Sequence, residues 1–256
     1  MFPIRDTIPS RHLPVITWAL LVVNVLVFLW QVTLPEAGQK QLFYLFGIVP
    51  ARYLVPGWAA QVGYPSISLW PFVTSMFLHG GLLHVASNMW SLWIFGDNVE
   101  DRMGPVRFAL FYLLCGLIAG FVHTLTNPAS IVPTIGASGA IAGVLGAYLR
   151  WYPGSRVLTL IPILIYPLFV YLPAIVYLGL WFVLQIFSGT LSLGIAASSG
   201  GVAWWAHIGG FLAGMGLCGF FRRHEREQIP GPRRHLVYRG DPRSGTWRPP
   251  PPSLGL

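Results

Sequence analysis

The chain has 256 residues, of which 54% are hydrophobic and only 9% are charged, and its formal net charge is +8. A soluble globular protein carries roughly 25% charged residues, so this composition excludes an ordinary soluble domain and predicts a polytopic membrane protein. We interpret the positive charge as a signal of topology and lipid contact, and we expect no nucleic-acid partner. Cys115 and Cys218 lie in apolar runs, which favours packing roles over a disulfide.

Six apolar segments are predicted to span the membrane: about 13–34, 77–98, 106–125, 136–151, 163–187 and 202–221. The fourth is short, because a crossing needs about 20 residues, so we expect it to begin below the surface under an irregular loop at 126–134. The long first loop, 35–76, is rich in aromatic residues and is expected to lie in the outer interface. Pro162, Pro167 and Pro173 are expected to kink or interrupt the fifth span.

The basic residues predict the orientation of these spans. With a cytoplasmic N-terminus, 14 of the 16 lysines and arginines fall in inner segments, and only Lys40 and Arg52 fall outside. Cytoplasmic loops carry the excess of basic residues, so spans two, four and six run from outside to inside. We expect three parts: a cytoplasmic segment at 1–12, one helical domain at 13–221, and a basic, proline-rich, disordered cytoplasmic tail at 222–256.

One hydroxyl stands at the start of the fourth span, in Gly136-Ala137-Ser138-Gly139. The unpaired N–H groups of a helix start favour negative charge. Ser138 is therefore a candidate nucleophile with part of an oxyanion hole already present. Taken alone, it is better explained as a serine that caps a membrane helix and aids packing.

Three further polar residues lie at a similar depth, and polar side chains in spans are costly. His84 and Asn88 of span two are four apart and share a helix face, and span six carries His207. Near the outer ends of inward-running helices, these positions and Ser138 lie roughly 6–12 Å below the surface, at 1.5 Å per residue. Their common depth predicts one site.

Small residues predict how the helices of this site approach each other. Gly139 and Gly143 lie four apart on span four, and Gly210 and Gly214 lie four apart on the face of span six that carries His207. Small residues at this spacing let helices pack closely in a bilayer. We therefore expect the two stripes to bring Ser138 and His207 together, with Gly136 allowing the loop to turn into the helix.

The chemistry that fits these residues is nucleophilic catalysis. A neutral histidine can take the serine proton and later protonate a leaving amine, while the Ser138 N–H, Asn88 and His84 donate to the oxyanion. No acidic residue lies at this depth, so a two-residue arrangement is expected. His79 and His84 could also bind a metal, but they are five apart and no carboxylate or thiol joins them. We expect no metal and no cofactor.

Four motifs, in this order along about 13–221, resemble those of the rhomboid family of intramembrane serine proteases. They are His84-Val85-Ala86-Ser87-Asn88, Glu100-Asp101-Arg102-Met103-Gly104, Gly136-Ala137-Ser138-Gly139 and Ala206-His207-Ile208-Gly209-Gly210-Phe211-Leu212-Ala213-Gly214. The resemblance implies an all-α bundle of six transmembrane helices in a bacterial inner membrane. It also implies a serine endopeptidase that cleaves transmembrane substrates without a cofactor, with Ser138 as nucleophile, His207 as base, and His84, Asn88 and the Ser138 N–H in the oxyanion hole.

The resemblance also identifies one position where this chain departs from the family pattern and one segment that is expected to move. Several members have Tyr four residues after the serine, stacked on the histidine, whereas this chain has Ala142, so another side chain must orient His207. The kinked fifth span and its following loop, Ser188 to Gly201, resemble the gate and cap of the family.

Two other functions remain open at this point. One is a catalytically inactive rhomboid-like protein that binds membrane clients, and the other is a transporter or channel that uses the polar cluster as a pathway. The physiological substrate and the oligomeric state do not follow from the sequence.

Overall fold

A computed structural model describes residues 1–64, 68–163, 166–192 and 203–223. Six long helices are present in these ranges: α1 (Val15–Val32), α6 (Leu82–Met103), α7 (Pro105–Thr126), α8 (Ser138–Trp151), α9 (Ala174–Ser192) and α10 (Trp204–Phe221). Shorter helices lie between α1 and α6: α2 (Glu36–Phe46), α3 (Pro50–Leu54), α4 (Trp58–Gln61), α5 (Pro71–Thr74) and a 3₁₀ turn at Ser75–Phe77. The predicted disordered tail lies outside the described residues from 224 onward.

Three of the described helices, α1, α7 and α9, are long and apolar enough to cross a membrane by length and composition. Helix α8 is shorter, with 14 residues, and every residue from Ala140 to Tyr148 is buried. It packs against α6, α7 and α10 and so forms the centre of the bundle. The protein is a mainly helical membrane protein, and the crossing of all six long helices stays a prediction.

The prediction of an all-α fold was wrong, because the described chain also contains a three-stranded antiparallel sheet. Its strands are β1 (Phe2–Asp6), β2 (Arg156–Ile163) and β3 (Tyr166–Pro173), in the order β1-β2-β3. Strand β2 pairs with the N-terminal segment, with Phe2 opposite Leu160. The segment after α8 is rich in β-branched and aromatic residues, which favour strands.

The predicted start of the fifth span at 163 was also wrong, because the helix begins at Ala174. Pro162 and Pro167 face each other in the β2–β3 pairing, and Pro173 ends β3. The prolines therefore precede α9 and do not kink it. The helix continues to Ser192, so the first five residues of the expected cap loop are helical, and 193–202 lie outside the described residues.

Strand β1 is attached to the bundle by side chains of α6 and α8. The Asp6 carboxylate accepts hydrogen bonds from Asn98 Nδ2 at 2.9 Å and from the Tyr148 hydroxyl at 2.5 Å. The Trp90 indole N–H donates to the Pro3 carbonyl at 2.5 Å. The N-terminal strand thus lies along α6 and is linked to the helix that carries Ser138.

The loop that precedes α8 is held by the first long loop. Thr134 pairs with Ile48 in an isolated bridge, and the Ala51 N–H donates to the Ser130 carbonyl at 2.9 Å. The Gly136 N–H donates to the Ser75 carbonyl at 2.8 Å. These backbone bonds place the start of α8 against the residues that lead into α6.

Candidate active site

Ser138 is the first residue of α8, and His207 lies in the first turn of α10. The Ser138 Oγ and the His207 Nε2 are 2.8 Å apart, and His207 is only 8% exposed. No side chain among the described residues caps the N-terminus of α8. The serine hydroxyl therefore lies within hydrogen-bond reach of a base and beside the free N–H groups of a helix start.

Glycines allow α8 and α10 to meet at their backbones. A Cβ at Gly210 would overlap the carbonyl oxygen of Gly139, and a Cβ at Gly214 would overlap that of Gly143. The opposite side of α8 faces α7, where a Cβ at Gly139 would lie 2.7 Å from the Ala119 Cβ. Gly139 on α8 therefore makes room for α7. The carbonyl groups of Gly139 and Gly143 lie against the glycines of α10.

Gly136 brings the loop backbone next to the polar residues of α6. Its φ of +124° lies in the region that favours glycine. A side chain there would place its Cβ 2.7 Å from His84 Nε2 and 3.6 Å from Asn88 Nδ2. His84 and Asn88 thus lie beside the backbone two residues before Ser138, and only glycine leaves room for them.

Asn88 and His84 are arranged as donors. The amide nitrogen of Asn88 is buried and has no hydrogen-bond partner among the described residues. The Gly80 N–H donates to His84 Nδ1 at 3.3 Å, so the proton of the neutral His84 ring is on Nε2. A buried donor without an acceptor is costly, and this one lies beside the backbone of Gly136.

His79, considered above as a metal ligand with His84, is fully buried beside it, with ring centroids 5.1 Å apart. Its backbone is held by Gln31 of α1, which donates to the His79 carbonyl at 2.6 Å and accepts from its N–H at 3.2 Å. Over the part of the chain that the structure describes, no group of three or more His, Cys, Asp or Glu side chains is arranged to hold a metal ion.

Two residues that contact His207 were missed by the sequence reasoning. Gln185 of α9 has its Oε1 2.8 Å from His207 Nδ1, and the Trp181 ring lies 5.9 Å from the imidazole, tilted by 31°. Ala142, at the position of the expected tyrosine, is buried in α8. One aromatic neighbour of His207 therefore comes from α9, and a second is Trp204 of α10, with ring centroids 6.3 Å apart. The sequence signal for Gln185 was the one carboxamide in an otherwise apolar span.

Comparison with known proteins identifies the family of this chain. A family model described as the Rhomboid domain matches residues 66–224, which is more than half of the chain and includes all the candidate site residues. RHOMBOID-like protein 1 of Arabidopsis thaliana is 36% identical over 152 residues, which is 59% of this chain and 34% of that protein. The human Presenilin-associated rhomboid-like protein, mitochondrial, is 33% identical over 136 residues, 52% of this chain and 32% of that protein.

Rhomboid protein 1, mitochondrial, of Saccharomyces cerevisiae is 29% identical over 212 residues, which is 80% of this chain and 53% of that protein. The alignments thus span about a third to a half of the length of these three relatives. The resemblance inferred from the four motifs is confirmed, and the chain belongs to the rhomboid family.

Proposed function

We propose that this protein is an intramembrane serine endopeptidase that hydrolyses a peptide bond in or near the transmembrane segment of membrane protein substrates. Membership of a family of intramembrane proteases supports the reaction class. The observation that carries the proposal is the 2.8 Å distance between Ser138 Oγ and His207 Nε2. Among the described residues, the other ring nitrogen of the histidine has a carboxamide and not a carboxylate as its partner.

In the first step, the Ser138 oxygen attacks the scissile carbonyl carbon while its proton moves to His207 Nε2. The tetrahedral intermediate collapses when the imidazolium returns that proton to the leaving amine, and the acyl-enzyme remains on Ser138. Water then attacks the ester carbonyl while His207 Nε2 accepts its proton. The imidazolium passes that proton to the Ser138 oxygen as the acyl–oxygen bond breaks, and the second product leaves with a new carboxyl group.

The negative charge of each intermediate needs donors. The Ser138 N–H at the start of α8, the Asn88 amide and the His84 Nε2–H are proposed to supply them. The unpartnered amide of Asn88 supports this role, because a buried donor is already oriented before substrate arrives. One such donor is worth about 10²–10³ in kcat.

We further propose that all six long helices cross the bilayer, with residues 1–12 and 222–256 on the cytoplasmic side. The asymmetry of 14 inner to 2 outer basic residues supports this orientation. It places the start of α8 toward the outer face, where a substrate helix would have to unwind to reach Ser138. Residence in a bacterial inner membrane stays a prediction, and two of the relatives above carry a mitochondrial name.

The alternative is an inactive rhomboid-like protein that binds membrane clients. Such a protein has no need for a serine within hydrogen-bond distance of a histidine, or for a buried donor beside it. The Ser138–His207 contact therefore favours the protease over the client-binding protein.

The test uses the purified full chain in liposomes with a single-span model substrate, and a fluorophosphonate probe as a second readout. The wild type and Ser10→Ala, a change at an exposed serine outside the bundle, should cleave the substrate and react with the probe. Ser138→Ala should do neither. Cleavage that survives Ser138→Ala would overturn the proposal, and a wild type that neither cleaves nor reacts would support the client-binding alternative.

A further inference from the structure

Gln185 is a buried carboxamide in a stretch of α9 where the neighbouring side chains are apolar. It is 6% exposed, while Val183, Leu184, Ile186 and Phe187 around it are all exposed on the outer faces of α9. Burying a carboxamide is unfavourable unless its groups are hydrogen-bonded. Its position therefore needs a specific partner in the bundle.

That partner is the imidazole of His207. The Gln185 Oε1 lies 2.8 Å from His207 Nδ1, and the Gln185 Nε2 donates to the Trp181 carbonyl one helical turn earlier at 3.3 Å. The second bond identifies which end of the amide faces the histidine, because only the nitrogen can donate to a carbonyl. Both ends of the side chain are thereby fixed.

We propose that Gln185 is a positioning residue for the reaction, which holds His207 in the tautomer and orientation that Ser138 requires. A carboxamide oxygen can only accept, so His207 Nδ1 must carry the ring proton. Nε2 then keeps its lone pair and faces the Ser138 hydroxyl at 2.8 Å. This inference rests on the proposed function and adds to it the group that orients the base.

The arrangement also gives α9 a direct effect on catalysis. Gln185 and Trp181 both belong to α9, whereas Ser138 belongs to α8 and His207 to α10. The Trp181 ring covers one side of the imidazole, 5.9 Å from its centroid, and Gln185 fixes its rotation. Any rotation or displacement of α9 would therefore change the tautomer and orientation of the base.

A neutral carboxamide differs from the aspartate of a catalytic triad in one measurable way. Gln185 orients the ring but does not place a negative charge beside the imidazolium that forms during the reaction. The other titratable groups that act on His207 are His84 of α6 and His123 of α7, and neither is acidic. An acid introduced at 185 would be the only carboxylate next to His207 among the described residues.

Three variants of the full chain in liposomes test the proposal. Gln185→Met has similar length and volume but no acceptor for Nδ1, and Gln185→Glu restores an acceptor and adds charge. Thr190→Val is the matched control on an exposed position of the same helix. The readouts are kcat and KM for the model substrate, the dependence of kcat on pH, and the rate of fluorophosphonate labelling.

Gln185→Met should lower kcat and the labelling rate about 10- to 100-fold, the usual effect of losing a partner that orients a functional histidine, with KM nearly unchanged. Gln185→Glu should restore most of the activity at alkaline pH. It should also move the acid limb of the kcat profile to higher pH, because the carboxylate stabilises the imidazolium. Thr190→Val should match the wild type in every readout.

Wild-type kcat in Gln185→Met would overturn the proposal, as would a Gln185→Glu profile with an unshifted acid limb. If Gln185→Met fails to fold, the proposal is tested by the acid limb of the kcat–pH profile of Gln185→Glu, because a change in packing alone would not shift that limb. Failure of the proposed function looks different: Ser138→Ala would then cleave as well as the wild type, or the wild type would not react at all.

Discussion

Glu100 of α6 accepts hydrogen bonds from Thr17 of α1 at both the backbone N–H and the hydroxyl, each at 2.8 Å. The Ile16 N–H donates to the second carboxylate oxygen at 2.9 Å. No side chain from the preceding residues caps α1, so Glu100 serves as its cap from another helix. A carboxylate is favourable there because the N-terminus of a helix carries partial positive charge. The glutamate of the Glu100–Gly104 motif therefore joins α1 to α6.

Glu100→Ala should destabilise the protein by about 1–3 kcal/mol, because it leaves buried N–H groups without an acceptor. Glu100→Gln keeps one acceptor oxygen and should lose less. Thermal unfolding in detergent measures both, with Lys40→Ala at an exposed position inside α2 as the control. Equal midpoints for Glu100→Ala and Lys40→Ala would show that the cap contributes nothing.

Gly214→Ala should separate α10 from α8, because the added Cβ would overlap the Gly143 carbonyl. We expect a loss of about 1–3 kcal/mol from overpacking and a fall in cleavage, since the same helices carry Ser138 and His207. Gly216→Ala is the matched control two residues later, where a Cβ meets open space. A Gly214→Ala protein as stable and active as Gly216→Ala would contradict the close packing.

Asn88→Ala should lower kcat about 10²–10³-fold with little change in KM, since one oxyanion donor is removed. The unfolding midpoint should stay the same or rise, because the lost amide nitrogen has no partner among the described residues. Leu83→Ala, at an exposed position of the same helix, controls for general effects on α6. The role of Asn88 as a donor would be refuted if kcat stayed within a few fold while KM rose.

Asp6 should make stability depend on pH. Burial raises the pKa of the Asp6 carboxyl above its ordinary value of 3.8, although the Tyr148 hydrogen bond acts in the opposite direction. The native state therefore favours the protonated form, so this group's contribution is full below pH 3.8 and is lost as pH rises through the raised pKa.

The measurement is the difference in unfolding midpoint between the wild type and Asp6→Asn, which cannot ionise at this position. That difference should fall as the pH rises above 3.8 and through the raised pKa of Asp6. Glu36→Gln, at an exposed carboxylate, should show no comparable trend. A difference that grows with pH would mean that ionised Asp6 stabilises the sheet attachment, contrary to the burial of its carboxyl.

Local sequence patterns were sufficient to predict those features of the fold and site that depend on residues close together in the chain. The four-residue spacings placed His84 beside Asn88 and predicted glycine faces on two helices, because one helical turn brings such residues together. The start of a helix at Ser138 followed from a glycine-rich turn before an apolar run. The motif order was enough to identify the family, since each motif keeps its own spacing.

Local patterns failed between 156 and 173, where hydropathy alone cannot distinguish an apolar strand from a membrane helix. Besides β3, β2 pairs with the segment Phe2–Asp6, about 150 residues earlier in the chain. Nothing near Leu160 indicates that pairing. The three prolines were therefore assigned to a kinked helix, whereas they lie in β2 and β3, and β3 ends just before α9.

The sequence by itself determined the membrane character, the rhomboid family and the choice of Ser138 and His207 as candidates, because composition and motif spacing are properties of the chain. Only the tertiary structure decided the neighbours of His207. Gln185 and Trp181 reach the imidazole because α9 packs beside α10 with one particular rotation. That rotation depends on how side chains from several helices fill the space between them, and no spacing within α9 specifies it.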